Sequence, residues 1–153
     1  MTEWKTPFQL IKPGTGRKVR SGSDVAILSI GPMGNYALKA CEELESRGIS
    51  AALYDMRFVK PIDELMLHEV FGKFKHVVTV EDGCLQGGMG SAVLEFMVDN
   101  GYTSQVKRLG IPDRLVEHGT QDELYAECHY DAAAMVATCE EMLREAIVEK
   151  RTA

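Results

Sequence analysis

The chain has 153 residues, a formal net charge of -6 at pH 7 and a sequence pI near 5.2. That length suits one domain, and 45% hydrophobic with 26% charged residues is ordinary for a globular protein. An acidic chain lacks the basic face that neutralises nucleic-acid phosphates, so we predict no nucleic-acid partner. No apolar run approaches the roughly 18 residues of a membrane span, and the N-terminus lacks an apolar secretion segment. We therefore expect no membrane partner and a cytoplasmic location.

The four cysteines are spaced too widely for a disulfide framework and form no C-x-x-C pair. Reduced thiols are the simpler interpretation, in agreement with a cytoplasmic location. The cysteines are Cys41, Cys84, Cys128 and Cys139.

Residues 1–24 are rich in proline and glycine and have little periodicity, which predicts a linker arm with one short edge strand at residues 17–20. The strand carries Arg17, Lys18 and Arg20. A charged strand edge that resists aggregation is favoured for this cluster over a phosphate-binding patch. Residues 25–153 are predicted to form the folded domain.

Short apolar runs alternate with amphipathic stretches after residue 24. The runs predict strands at residues 25–30, 51–54, 76–80 and 106–110. Between them, apolar residues recur at helical spacing, and further helices are predicted at residues 121–127 and from residue 131. Asp63 is a candidate N-cap, and Gly48 a candidate C-terminal cap. Ile62, Leu65, Met66 and Val70 are expected to lie on one apolar face of the helix that Asp63 could cap.

This alternation predicts an α/β fold with a mostly parallel sheet and helices on both faces. The methionines and aromatic residues fall on strands and helix faces, so they are interpreted as core. In such sheets, ligands and partners meet the loops at the carboxyl ends of the strands.

The loop that contains Glu81 leads into the glycines Gly87, Gly88 and Gly90 at the start of a predicted helix. Free N–H groups at a helix N-terminus can hold a phosphate or a neighbouring carboxylate. The alternative, which we favour, is a flexible turn that lets the backbone approach another protein surface. The stretch is neither a P-loop nor the dinucleotide fingerprint.

Arg57 and Lys60 follow the second predicted strand, where a cationic pair could bind phosphate or dock on acidic residues of another domain. Pairing with the nearby Asp55 or Asp63 is an equal alternative.

His118 lies in a predicted polar loop, where a general acid or base is one interpretation and a structural histidine the favoured one. The histidines have no metal-ligand spacing, and no G-x-S-x-G nucleophile motif is present. The residues alone therefore assign neither a metal ligand nor a catalytic residue.

Five blocks of sequence together resemble the C-terminal domain of the 1-deoxy-D-xylulose-5-phosphate synthase family, whose members are transketolase-type enzymes. The most specific are R-F-V-K-P-I-D at residues 57–63 and P-D-R-x-x-E-H-G at residues 112–119. The other blocks are residues 22–31, 80–82 and 87–92. The resemblance runs from about residue 4 to residue 144.

The resemblance implies a three-layer α/β/α sandwich around a five-stranded mixed sheet with the order 1-3-2-4-5. The first strand would be antiparallel to the others. The strand order would then reverse between the strands that end near Gly31 and Glu81, so that residues 31–34 lie beside residues 81–90. That crevice is the expected functional surface.

The resemblance further implies a parent enzyme that condenses pyruvate with glyceraldehyde 3-phosphate, with thiamine diphosphate and Mg²⁺ as cofactors. The family's G-D-G cofactor motif is absent here, so we expect no cofactor, metal or catalytic residue in this chain. The implied partners are the preceding pyrimidine-binding and diphosphate-binding domains and a second copy in a homodimer. Arg57, Lys60, Glu81 and His118 are then interface candidates.

Two other functions stay open at this point. One is a regulatory module that binds a phosphate or nucleotide in the crevice. The other is the C-terminal domain of a 2-oxoacid dehydrogenase E1 β-subunit, which shares the fold; the Glu117-His118-Gly119 motif favours the synthase family instead.

Overall fold

The computed structural model describes residues 9–152, with side chains described up to residue 146. The first eight residues of the predicted arm lie outside this range. The strands are β1 Arg17–Arg20, β2 Val25–Ser29, β3 Ala51–Asp55, β4 His76–Cys84 and β5 Gln105–Ile111. The helices are α1 Met33–Ser46, α2 Glu64–Lys73, α3 Met89–Asp99, α4 Gln121–Glu127 and α5 Ala132–Thr152. No helix in the described range is long and apolar enough to cross a membrane.

The strands form one sheet in the order β1-β3-β2-β4-β5. β1 pairs with β3 antiparallel, and the other strand pairs are parallel. Helices α1 and α5 pack on one face of the sheet, and α2 and α3 on the other. The predicted three-layer sandwich, its mixed sheet and its antiparallel first strand are confirmed.

The central strand β2 is buried on both sides, which explains its unbroken apolar sequence. Val25 and Ile27 point into the core beneath α1 and α5, whereas Ala26 and Leu28 point into the core beneath α2 and α3. The alternation of side chains along one strand thus supplies both hydrophobic layers.

Each basic residue of edge strand β1 pairs with a carboxylate. The pairs are Arg17 with Asp55, Lys18 with Glu69, and Arg20 with Glu45. Such solvent-exposed pairs contribute only about 0–1 kcal/mol each. Their neutralised charges support the strand-edge interpretation over a phosphate patch.

The predicted apolar face of α2 is correct in part, since Val70 is buried and Ile62 and Met66 pack against the core. Its buried residues are Leu67, Val70 and Phe71, whereas Leu65 is 83% exposed. The true stripe follows the i, i+3, i+4 spacing from Leu67, and two such stripes overlap in this apolar segment. Asp63 caps the helix as predicted, because its Oδ1 accepts a hydrogen bond from the Met66 N–H at 2.9 Å.

Strand β4 is longer than predicted. It runs through Glu81 and Asp82 to Cys84, which pairs with Ile111 after an irregularity in register beyond Val80. Sequence polarity suggested a loop there, but the bulged backbone keeps its pairing with β5, with Glu81 buried and Asp82 exposed.

Candidate functional site

The strand order reverses between β2 and β4, at the predicted position. The Ile30 N–H donates a hydrogen bond to the Val80 carbonyl at 3.3 Å, so the carboxyl ends of the two strands adjoin. Residues 31–34, which lead into α1, and the last residues of β4 therefore lie side by side at the sheet edge. This edge is the natural place for a functional surface in a doubly wound sheet.

The carboxylate of Glu81 fills the anion position at the start of α3. Its Oε2 accepts from the Met89 N–H at 2.7 Å and its Oε1 from the Gly90 N–H at 2.8 Å. Glu81 is only 5% exposed. A negative charge at a helix N-terminus is favourable, and here the chain provides that charge itself. A phosphate at this place would have to displace a buried carboxylate.

The turn before α3 is held by a second set of hydrogen bonds. Ser91 Oγ accepts from the Gly87 N–H at 3.0 Å and donates to the Leu85 carbonyl at 2.9 Å. Arg108 Nη1 donates to the same carbonyl at 2.6 Å and to Ser91 Oγ at 2.8 Å. Gly88 has no room for a side chain, because a Cβ there would overlap Glu81. These contacts join the turn to α3 and to β5.

Asp82 joins the end of β4 to two tyrosines. It accepts hydrogen bonds from the Tyr125 hydroxyl at 2.7 Å and the Tyr130 hydroxyl at 3.1 Å. Burial, reinforced by the Asp82 carboxylate, raises the pKa of Tyr125 to about 12. The same two causes raise the pKa of Tyr130. These hydroxyls therefore stay protonated and keep donating at neutral pH.

His118 lies in the loop between β5 and α4 and is exposed. It lines a cavity of about 460 Å³ whose other walls include Asp82, Leu124, Tyr125 and Tyr130. Ile111 and Val116 add to its apolar wall, and Glu117 and Gln121 to its polar groups. The structure thus brings His118 to the same cavity as the aspartate that follows Glu81.

Arg57 and Lys60 lie in the loop between β3 and α2. Arg57 adopts a positive φ of 57°, and its Nε lies 3.7 Å from Asp55 Oδ2. Lys60 is exposed and precedes a cis peptide bond to Pro61. The pairing with Asp55 that the sequence left open for Arg57 is therefore present, whereas Asp63 is engaged in capping α2.

Of the candidate residues, Glu81, Gly88 and Gly90 come together at one place. Arg57 and Lys60 follow β3, which β2 separates from β4, and His118 follows β5. Sequence reasoning missed the residues that fix this edge, which are Asp82, Ser91, Arg108, Tyr125 and Tyr130. Their partners lie up to 48 positions away, and no local pattern pairs residues so distant.

Comparison with known proteins gives the same family as the sequence blocks. The family described as "Transketolase, C-terminal domain" matches residues 14–135. The 1-deoxy-D-xylulose-5-phosphate synthase of Cytophaga hutchinsonii is 62% identical over 138 residues, which are 90% of this chain and 22% of that protein. The Bacteroides thetaiotaomicron synthase is 56% identical over 132 residues, 86% of this chain and 20% of that protein. The chain thus spans about a fifth of these relatives.

Two solved structures share the fold. A split-gene transketolase, described as an inactive β4 tetramer, superposes with a TM-score of 0.82 at 34% identity, over 88% of this chain and 44% of that one. The transketolase of Campylobacter jejuni superposes with a TM-score of 0.57 at 14% identity, over 84% of this chain and 18% of that one, a likeness of fold alone. The chain belongs to the transketolase C-terminal domain family and is homologous to the C-terminal region of 1-deoxy-D-xylulose-5-phosphate synthase.

Proposed function

We propose that this chain is the C-terminal domain of a 1-deoxy-D-xylulose-5-phosphate synthase. The observation that carries the proposal is the 62% identity over 138 residues to the Cytophaga hutchinsonii synthase. The reaction would be the condensation of pyruvate with glyceraldehyde 3-phosphate, with loss of carbon dioxide. Its product would serve isoprenoid, thiamine and pyridoxal synthesis, in the cytoplasm.

In this proposal the cofactors belong to the preceding domains of the same polypeptide. Thiamine diphosphate supplies the carbanion chemistry when bound, and Mg²⁺ anchors its diphosphate. This chain has no G-D-G cofactor motif, and a carboxylate already occupies its glycine-rich helix N-terminus. Its own residues would then support the enzyme without touching the reacting atoms.

The support would come from the carboxyl edge of the sheet. Arg57, Lys60 and His118 lie on loops at this edge. In the proposal, they would contact the pyrimidine-binding domain or the second subunit of a homodimer. Glu81 is too buried for a direct contact, so its role would be to hold the turn at Gly87 and Gly88 in shape. Residues 1–24 would be the linker from the preceding domain.

A domain of this kind would be inactive alone. The split-gene transketolase of similar structure is described as inactive in its β4 form. By analogy, we expect that this chain by itself neither binds thiamine diphosphate nor turns over substrate.

The test is to mix this chain with a Cytophaga hutchinsonii synthase that lacks its own C-terminal region and to measure deoxyxylulose phosphate formation. Activity in the mixture, with none in either part, supports the proposal. Micromolar binding of thiamine diphosphate to this chain alone, measured by calorimetry, would contradict it.

The other two functions have less support. A phosphate or nucleotide in the crevice would compete with Glu81 for the N–H groups of Met89 and Gly90. The relatives with the highest identities above carry the synthase name rather than that of a 2-oxoacid dehydrogenase.

A further inference from the structure

A second cleft opens at the opposite edge of the sheet, at the amino ends of β2 and β4. Its volume is about 750 Å³, within the range of roughly 300–1,000 Å³ of small-molecule sites. The basic residues that line it are Lys73, Lys75, His76 and Arg144. Ile49 and Leu143 provide an apolar wall. Nothing in the proposed synthase role uses this cleft.

Among the side chains that the structure describes, no carboxylate forms an ion pair with Lys73, Lys75 or Arg144. Lys73 Nζ donates to the Gly22 carbonyl at 2.8 Å, a neutral partner. Lys75 and Arg144 are exposed, so both can reach a ligand.

The two carboxylates that line the cleft already have partners. Asp24 accepts from the Ser50 N–H at 2.7 Å and from Ser23 Oγ at 3.0 Å. Glu140 pairs with Arg47 at 2.9 Å. Outside the lining, Glu145 accepts from Gln105 Nε2 at 3.1 Å. The partners of Asp24 are neutral, so its charge remains, whereas that of Glu140 is paired with Arg47. The lining therefore has an excess of positive charge, from Lys73, Lys75 and Arg144 against Asp24, on a chain whose net charge is -6.

We propose that this cleft binds a small molecule that carries a phosphate group. Lysine and arginine donors form charge-assisted hydrogen bonds to phosphate oxygens, and arginine can do so with two parallel bonds. The excess of positive charge in the cleft would also raise the local concentration of anions. The wall formed by Ile49 and Leu143 would favour an organic phosphate over the inorganic ion.

The experiment is an NMR titration of the isotope-labelled chain with phenyl phosphate and, separately, with inorganic phosphate. We expect saturable amide shifts confined to residues near Lys75, His76 and Arg144, with tighter binding of phenyl phosphate. If inorganic phosphate binds as tightly as phenyl phosphate, the phosphate group alone accounts for the affinity and the apolar wall contributes nothing. Shifts that rise linearly without saturation would overturn the proposal.

Two double variants distinguish binding in the cleft from a general effect of the net charge of the chain. Lys75→Ala with Arg144→Ala should weaken binding about tenfold or more, a loss of about 1.4 kcal/mol. Lys12→Ala with Lys39→Ala removes the same charge from exposed positions outside the cleft and should change affinity less than about twofold. Equal weakening in both variants would show that net charge, and not a binding site in the cleft, accounts for the affinity.

A third double variant, Lys75→Arg with Arg144→Lys, preserves the charge of the cleft and should retain binding. A loss of binding in this variant would contradict the proposal.

Discussion

Glu81 Oε2 accepts a hydrogen bond from the backbone N–H of Met89 at 2.7 Å, so a carboxylate at the end of one strand caps the next helix of the chain. Eight positions separate the two residues, and the glycine-rich turn between them brings them into contact. Together with the bond from the Gly90 N–H to Oε1, it gives the first N–H groups of α3 an acceptor from within the chain.

Replacing Glu81 should lower the free energy of unfolding. Glu81→Ala leaves two N–H groups without their acceptor, for an expected loss of about 2–3 kcal/mol, and Glu81→Gln, which keeps one acceptor oxygen, should lose about 1–2 kcal/mol. Urea denaturation measures both. Glu95→Ala, at an exposed position of α3, is the control and should stay within about 0.5 kcal/mol of the unchanged chain. A Glu81→Ala chain as stable as this control would show that the cap carries no stability.

The tyrosines that bind Asp82 should titrate at unusually high pH. Because the pKa of Tyr125 is raised to about 12 in the folded chain, the folded state holds this proton more tightly than the unfolded state does. Its contribution to stability is complete below the unfolded pKa of about 10 and is lost as the pH rises through the folded value. The unchanged chain should show a component near pH 12 in a plot of tyrosinate absorbance against pH, and the Tyr125→Phe variant should lack it. An unchanged titration curve would contradict the assignment.

The four free cysteines should fall into two reactivity classes. Cys84 is exposed, whereas Cys41, Cys128 and Cys139 are buried. Burial raises the pKa of Cys41 to about 11 and that of Cys139 to about 12, so these two thiols have little thiolate at neutral pH. A disulfide reagent should modify one thiol rapidly and the others only after unfolding. Cys84→Ser should remove the rapid phase, and a rapid phase that survives would contradict this burial pattern.

Two glycines should respond to alanine in opposite directions. A Cβ on Gly110 would lie 2.9 Å from the Gly83 carbonyl oxygen, so Gly110→Ala should destabilise the fold by about 1–3 kcal/mol through overpacking. Gly72 is exposed in α2 with nothing within 4 Å of such a Cβ, and Gly72→Ala should stabilise by about 0.5–1 kcal/mol through helix propensity. Urea midpoints of the two variants test this, and a stable Gly110→Ala chain would contradict the close approach of β4 and β5.

Much of the fold could be predicted from the sequence because its signals are local. The apolar run of β2, the Asp63 cap and the left-handed Gly48 with φ of 80° are each readable within a few residues. The strand order came from the resemblance to a family, since periodicity alone does not order strands. The buried stripe of α2 was predicted only in part, because two apolar stripes overlap in that segment: Val70 is buried as predicted, whereas Leu65 is exposed.

The candidate site was predicted less completely because its contacts are long-range. The sequence allowed a phosphate or a carboxylate at the start of α3, but only the bulge after Val80 places Glu81 there. The contacts of Asp82 with Tyr125 and Tyr130 likewise depend on how α4 folds back over the sheet. Predicting such contacts therefore requires the tertiary structure.

The most direct test of the proposed function replaces the C-terminal region of the Cytophaga hutchinsonii synthase with the 138 matching residues of this chain. Deoxyxylulose phosphate formation from pyruvate and glyceraldehyde 3-phosphate is then compared with that of the native synthase and of the same protein truncated before this region. We predict activity in the chimera and none in the truncated protein. A soluble, folded chimera that forms no product, or a truncated protein as active as the native synthase, would contradict the proposal that this chain is the supporting domain of such an enzyme.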